Sequence, residues 1–265
     1  MHTDYWKLDR LPFENVPDPD FFYESRAHRE AITRLLFAVE SHKTMALLTG
    51  DYGSGKTVVC QTVIERLPAN EHHVAMVTNP TMDATDLTRE IISQLGEDIG
   101  VKSKYEVLHA YKDVLERHAV AGRHCTAIID EAQLIANAAI LEELRLLLNV
   151  QTSQRACLTL ILAGQTELND MIKSIPQMRQ RISLKYHIPH LDNDEVAPYL
   201  ARRLEAAGGQ LDIFDEEALR TIERLSNGNP REINALADLS LLFGSLMQVD
   251  RIGAEIVQEA GRERA

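Results

Sequence analysis

The eight residues Gly50-Asp51-Tyr52-Gly53-Ser54-Gly55-Lys56-Thr57 constrain this chain more than any other stretch of it. They follow an apolar run, 44–49 (TMALLT), and lead into a segment of helical character, 56–67. Glycines let a backbone curl through conformations that side chains forbid, so that successive N–H groups converge on one anion. The positive end of the following helix favours the same anion. In a GxxxxGK[ST] pattern of this kind the lysine reaches the β and γ phosphates of a nucleotide, and the hydroxyl that follows it faces Mg2+. Gly50, Gly53, Ser54, Gly55, Lys56, Thr57 and Val58 are therefore the candidate nucleotide contacts, with Thr57 also a candidate metal ligand. A glycine-rich turn without a ligand is the alternative. The four specified positions match by chance in roughly one chain of this length in a hundred, and the strand and helix context makes such a match rarer still.

A second, acidic signal lies downstream. The apolar run 125–130 (CTAIID) ends in Asp130, and Glu131 follows. A carboxylate at the C-terminal edge of a parallel strand faces the crevice where such folds bind phosphates. Asp130 suits the water shell of Mg2+, and Glu131 suits a group that orients or deprotonates the attacking water. A pair of carboxylates capping a helix is the bland alternative, weakened by the upstream loop. Another apolar run, 157–163 (CLTLILA), leads to Gly164-Gln165-Thr166-Glu167. Gln165 suits a sensor of the γ-phosphate or the attacking water, while a helix N-cap by Thr166 accounts for the stretch without catalysis.

From Thr44 to about Pro189, short apolar runs alternate with longer amphipathic stretches, the pattern of strand and helix units that build a parallel sheet. Strands are expected at 44–49, 73–79, 125–130, 157–163 and 184–188, and helices at 56–67, 84–95, 105–120, 138–150 and 167–175. Beyond Pro189 the alternation stops, and helices are expected at 194–207, 215–225, 230–243 and 251–260. Gly208-Gly209 and Asn227-Gly228-Asn229-Pro230 punctuate them as stop and restart signals. The expected division is 1–43 as an extended segment and helix packed on the core, 44–190 as an α/β nucleotide-binding domain, and 191–265 as a small all-helical domain. The Pro- and Asp-rich start of the first piece suits covering a sheet edge, with packing against a nucleotide base as the second choice.

Three arginines stand out. Arg179 and Arg181 lie immediately before the last strand, where one of them, supplied in trans to a neighbour's phosphate, would stabilise transition-state charge. Solvated surface arginines are the alternative. Arg231 sits in the first turn of a helix that opens with Pro230, and a cation there is mildly unfavourable unless an anion is near.

Charge and cysteine content exclude other classes. Lys plus Arg number 28 and Asp plus Glu 40, a net charge of −12, which leaves no polybasic arm for nucleic acid or membrane. The longest near-apolar stretch, 156–164, is less than half of the roughly 20 residues a membrane-spanning helix needs. The N-terminus shows no apolar core ahead of a small-residue cleavage site, so the expected location is cytoplasmic. Cys60, Cys125 and Cys157 fit neither a disulfide framework nor a zinc site and read as small core residues. The adjacent His72 and His73 read as a solvated or strand-edge pair.

The segments PFENVPDPDFFYESRAHREAITRL, GDYGSGKT, IIDEAQLI, LEELRLLLNVQT, LILAGQTEL, MRQRI and GNPREIN occur in the order seen in the ExeA/GspA-type AAA+ ATPases of bacteria, and the chain resembles that family from about Tyr5 to about Ile252. The resemblance implies an AAA+ P-loop α/β domain, a parallel sheet flanked by helices, followed by a small all-helical lid. It also implies ATP and Mg2+ at subunit interfaces and a homo-oligomer. On it, Lys56 and Thr57 are Walker A residues, Asp130 and Glu131 Walker B, Gln165 sensor 1 and Arg231 sensor 2. Arg181 is the preferred finger and Arg179 the second. The implied role is assembly of a cell-envelope machine, type II secretion or pilus-like, with recruitment to the inner membrane face by a partner. Such proteins generally continue into a membrane segment and a peptidoglycan-binding domain, whereas this sequence ends at Ala265, as a stand-alone relative or the ATPase portion of a longer chain would. The alternative is an ATP-dependent DNA-binding regulator similar to transposition proteins of the TnsC or MuB kind. The charge of −12 places a protein client ahead of DNA.

Overall fold

A computed structural model describes residues 2–15, 18–100, 103–151 and 155–264. Met1, Val16, Pro17, Val101, Lys102, Thr152, Ser153, Gln154 and Ala265, which fall inside expected segments, lie outside the described residues. In chain order the elements are α1 (His2–Trp6), α2 (Arg26–Glu40), β1 (Met45–Gly50), α3 (Lys56–Arg66), β2 (His72–Val77), α4 (Ala84–Gln94), α5 (Lys104–Val120), β3 (His124–Ile129), α6 (Ala138–Leu147), β4 (Leu158–Gly164), α7 (Glu167–Lys173), α8 (Pro176–Arg179), β5 (Ile182–Ile188), α9 (Asn193–Ala206), α10 (Glu216–Ser226), α11 (Pro230–Met247) and α12 (Ala254–Glu263). Short 3-10 turns occur at Pro19–Phe21, Ala132–Leu134 and Leu211–Ile213.

The five strands form one parallel sheet in the order β2-β3-β4-β1-β5. Sequence character sorts them. The three central strands are buried at every residue, whereas the edge strands β2 and β5 alternate or are partly covered. Only a central parallel strand has both faces covered, so only those three are buried along their whole length. Helices α4, α5 and α6 supply Leu87, Ile91, Val107, Leu115, Leu141 and Leu144 to the same core. Their starts are fixed by polar caps: Asp83 on α4, a Ser103–Glu106 capping box on α5, and Asn137 on α6.

Contacts divide the chain into two compact units, His28–Asp51 with Lys56–Ile188, and Met1–Ala27 with Tyr52–Gly55 and Pro189–Ala265. This differs from the expected division, in which residues 1–43 packed on the α/β core. Residues 1–27 instead cluster with the helical unit, while 28–43 stay with the α/β unit. Within the helical unit, Arg203 is 8% exposed, and its guanidinium donates to Pro12 O and Glu14 O, both at 2.6 Å. Trp6 Nε1 donates to Leu241 O at 2.8 Å, and Asn234 Nδ2 to Asn15 Oδ1 at 2.9 Å. Leu8, Phe13 and Phe21 join Leu200, Leu204, Ile222, Ile233 and Val257 in one apolar cluster.

Several element ends differ from expectation for identifiable reasons. Helix α11 runs on to Met247 because Gly244 is not a stop but a close approach: a Cβ there would lie 2.8 Å from the Trp6 ring. Helix α12 starts at Ala254 rather than 251 because Ile252 is bridged to Phe214. The piece expected at 167–175 ends at Lys173, and Pro176 opens α8 at its first turn. Helix α1 lies in the part of 1–43 that was expected to be extended.

At the edge where the strands begin, the α/β unit carries a directed hydrogen-bond chain. Thr159 Oγ1 donates to Lys43 O at 2.7 Å, so it accepts from His124 Nε2 at 2.8 Å. His124 Nδ1 is then the acceptor for His42 Nδ1–H at 2.8 Å, and His42 Nε2 accepts from Arg155 at 2.9 Å. Both rings are neutral in this arrangement. Burial, with His42, His72 and Arg155 nearby, pushes the His124 pKa from 6.5 down to about 3. The unfolded chain takes up this proton near pH 6.5 and the folded chain only near 3, so stability falls as pH drops through that window. Lowering pH from 7 to 5 is expected to cost about 2 kcal/mol through His124. Urea midpoints at the two pH values measure it, and His124→Gln should flatten the slope.

Candidate nucleotide-binding site

Strand β1 delivers the chain at Gly50 into the glycine-rich loop, and α3 starts at Lys56. Gly53 and Gly55 have φ of +81° and +85°, so the loop uses the left-handed region that its glycines permit. At Gly53 space is also decisive, because a Cβ would lie 2.7 Å from Arg231 Cβ. Ser54 is buried, and Val58 is half-buried in the first turn of α3.

Lys56 is 5% exposed, and its ammonium donates to Gly50 O and Asp51 O, each at 2.9 Å. Burial lowers its pKa, opposed by the carboxylates of Glu131, Asp130 and Asp51. One residue on, Thr57 Oγ1 donates to Asp130 Oδ2 at 2.5 Å. Asp130 directly follows β3 and is 2% exposed. Its Oδ1 accepts the Glu131 N–H at 2.9 Å. Burial raises the Asp130 pKa against the pull of these two bonds.

Glu131 has φ +50° and ψ 35°, and makes no side-chain cap to the turn Ala132–Leu134 that follows. The helix-capping alternative for the acid pair is therefore not what the structure shows. Gln133 Nε2 donates to Glu131 Oε2 at 2.5 Å, while Gln133 Oε1 accepts the Gln165 N–H at 3.0 Å. Gln165 is half-buried just past β4, the strand that lies between β1 and β3. Thr166 makes no side-chain cap to α7, so the N-cap alternative for this stretch fails as well. Lys56, Thr57, Asp130, Glu131 and Gln165 thus collect at the end of the sheet where strands β1, β3 and β4 finish, the crevice in which open α/β sheets bind ligands.

Arg179 and Arg181 are not part of this group. The pairing of Met45 with Ile182 and of Gly50 with Ile188 places both arginines by the start of β1, at the opposite end of the sheet. Arg179 is exposed, and Arg181 Nη2 donates to Asn149 Oδ1 at 2.7 Å. In the helical unit, Arg231 stacks its guanidinium 4.1 Å from the centre of the Tyr52 ring. Asn229 caps α11 by accepting the Arg231 N–H at 2.9 Å and donates to Tyr52 O at 3.2 Å. Tyr52, Asn229 and Gln133 escaped the sequence reading. Gln133 stands in the quoted run IIDEAQLI, and its signal was an amide two residues past Glu131.

A parallel sheet whose first strand empties into this loop and lysine helix, with an acid pair at the end of a nearby strand, defines a P-loop nucleotide-binding fold. The chain belongs to the AAA domain family, whose model matches residues 39–172. It is 34% identical over 248 residues to General secretion pathway protein A of Aeromonas hydrophila, covering 91% of this chain and 44% of that protein. The chain thus spans less than half the length of that relative. Among solved structures it is similar to the Aeropyrum pernix ORC1 protein in complex with DNA (TM-score 0.70, 18% identity, 97% of this chain and 70% of that one). It is also similar to the ORC2 protein of the same organism in its ADPNP-ADP complexes (TM-score 0.68, 20% identity, 96% and 72%). No helix among the described residues is long and apolar enough to cross a membrane.

Proposed function

We propose that this chain binds ATP with Mg2+ at the glycine-rich loop, hydrolyses it to ADP and phosphate, and uses the cycle to assemble or remodel a cell-envelope machine of the type II secretion or pilus-like kind. The observation that carries the chemistry is the convergence of Lys56, Thr57, Asp130 and Glu131. The likeness to General secretion pathway protein A supports the role. The ORC2 protein in its ADPNP-ADP complexes is a neighbour in fold and supports the choice of nucleotide.

Loop N–H groups and the start of α3 hold the phosphates. Lys56 exchanges its carbonyl partners for phosphate oxygens, a gain because its bonds to charged acceptors are stronger. Thr57 and Asp130 are hard oxygen donors, and two donors from the protein suit Mg2+, which keeps several waters of its own. When bound, Mg2+ supplies the charge that neutralises the β and γ phosphoryl oxygens. Glu131 orients or deprotonates the attacking water, and Gln165 senses the γ-phosphate. Arg231 answers the phosphates at the loop tip against which it stacks.

Lys56→Ala is expected to abolish nucleotide binding in calorimetry, and Glu131→Gln to bind ATP while losing at least about 100-fold in turnover, the scale of a lost general base. A wild-type chain that matches Glu131→Gln in phosphate release defeats the hydrolytic assignment.

The six residues of β1 separate the loop from Arg179 and Arg181 by about 17–20 Å at the rise of an extended strand, further than an arginine side chain reaches. Their role as fingers therefore requires a second copy of the chain, as the proposed homo-oligomer provides. Arg179→Ala or Arg181→Ala is expected to leave ATP affinity intact and to lower turnover about 1000-fold, the effect of a lost finger. Scattering with ATP that shows only monomers, alongside full activity, contradicts this.

In cells, replacing the gene with its Glu131→Gln form should stop delivery of a secreted or pilus protein. Unchanged delivery, together with salt-sensitive DNA retention by the ATP-locked variant, would move the client from protein to DNA.

A further inference from the structure

We propose that Gln133 is the positioning residue of the Glu131 carboxylate and couples it to the end of β4. The inference rests on the hydrolytic reading above and concerns what holds the water-activating group in place. Glu131 needs a holder. Its backbone lies in the left-handed region at φ +50°, which a residue with a Cβ adopts only at a steric cost. Its side chain makes no cap to the following turn. Among the described residues the hydrogen bond that fixes its carboxylate is the one from Gln133 Nε2, at 2.5 Å.

The orientation of the Gln133 amide follows from its partners. A carboxylate oxygen only accepts and a backbone N–H only donates, so Nε2 must face Glu131 and Oε1 must face Gln165, at 3.0 Å. One side chain therefore bridges the acid after β3 to the main chain at the sensor position after β4. An independent feature keeps the bridge in place. Gly164, at the end of β4, does not have the positive φ that would call for glycine. It is short of space instead: a Cβ would lie 2.6 Å from Gln133 Oε1, 2.9 Å from Leu168 Cδ2 and 3.3 Å from Gln133 N. Any larger residue at 164 would push the amide off its two partners. A displacement of the Gln165 main chain then reaches Glu131 through three covalently rigid atoms, so the state of the sensor strand sets where the carboxylate points.

The test separates donation to Glu131 from a merely structural role. Gln133→Glu keeps the shape and the acceptor for the Gln165 N–H, but replaces the donor facing Glu131 with a second carboxylate. It is expected to lower kcat about 10- to 100-fold, the cost of misplacing a catalytic group by about 1 Å, with KM for ATP and the thermal midpoint little changed. Gln133→Met should lower kcat comparably, and Gly164→Ala, which leaves Gln133 itself intact, should lower it in the same direction. In a Glu131→Gln background none of these changes should reduce the residual turnover further. If Gln133→Glu and Gly164→Ala both turn over ATP within twofold of wild type while Glu131→Gln is dead, the positioning role is overturned and the hydrolytic reading stands. If wild type itself does not hydrolyse ATP, both fall.

Discussion

The hydrogen bond from Thr57 to Asp130 is the interaction on which the rest of the site depends, because it joins the first turn of α3 to the end of β3 across the intervening strand β4. It fixes the helix start, and with it Lys56, relative to the acid pair. Its surroundings are unfavourable for charge. An ionised carboxylate that is 2% exposed costs several kcal/mol in lost hydration, and two hydrogen bonds to a charged group return about 1.5–3 kcal/mol each. Burial wins that contest, since the Asp130 pKa is raised. It wins again at Lys56, whose pKa is lowered despite three carboxylates around it. Two groups of opposite sign are thus each held where their charged forms are disfavoured. A fold selected only for stability would have placed apolar side chains here, so the arrangement points to chemistry.

Much of this was legible in the sequence because the determinants are local. The loop needs glycines at fixed offsets, and central parallel strands are covered on both faces and so mostly apolar, so the loop and the three central strands stand out. Asp130 was visible because a charged residue ends a run that is otherwise wholly buried. What could not be read depends on distant pairing. Gln133 looks like an ordinary polar turn residue until β4 is set beside β3, when its two ends meet Glu131 and the Gln165 main chain. Arg179 and Arg181 were visible as a pair, but only strand register shows that they lie away from the loop of their own chain.

The N-terminal residues failed to be read for a similar reason. Their aromatic and proline content signals packing without naming the surface. The partner is a helix some 190 residues later, where Arg203 looks like a solvated charge on an amphipathic face. In the structure its guanidinium is buried against main-chain carbonyls and lies 5.1 Å from the Phe21 ring centre. A buried guanidinium satisfied by backbone acceptors specifies one path for the segment that supplies them, whereas apolar contacts alone would tolerate several. Residues 1–27 are therefore part of the helical unit by a polar constraint that no local pattern announces.

The α/β unit handles titratable groups in opposite ways at its two ends. Where the strands finish, Lys56, Asp130 and Glu131 lie close enough for their charges to act on one another, and burial raises the cost of every charge. Where the strands start, His42 and His124 form a chain that runs one way from Arg155 to the Lys43 carbonyl, with each nitrogen committed as donor or acceptor. Adding a proton to His124 would set two donors face to face at 2.8 Å, so the chain resists charging by geometry as well as by burial. The same sheet can hold both because a parallel arrangement puts all strand starts at one end and all strand finishes at the other. At one end the two histidines of the chain are kept neutral by their hydrogen bonds. The unfavourably buried charges of Lys56 and Asp130 lie at the end that faces the phosphate loop.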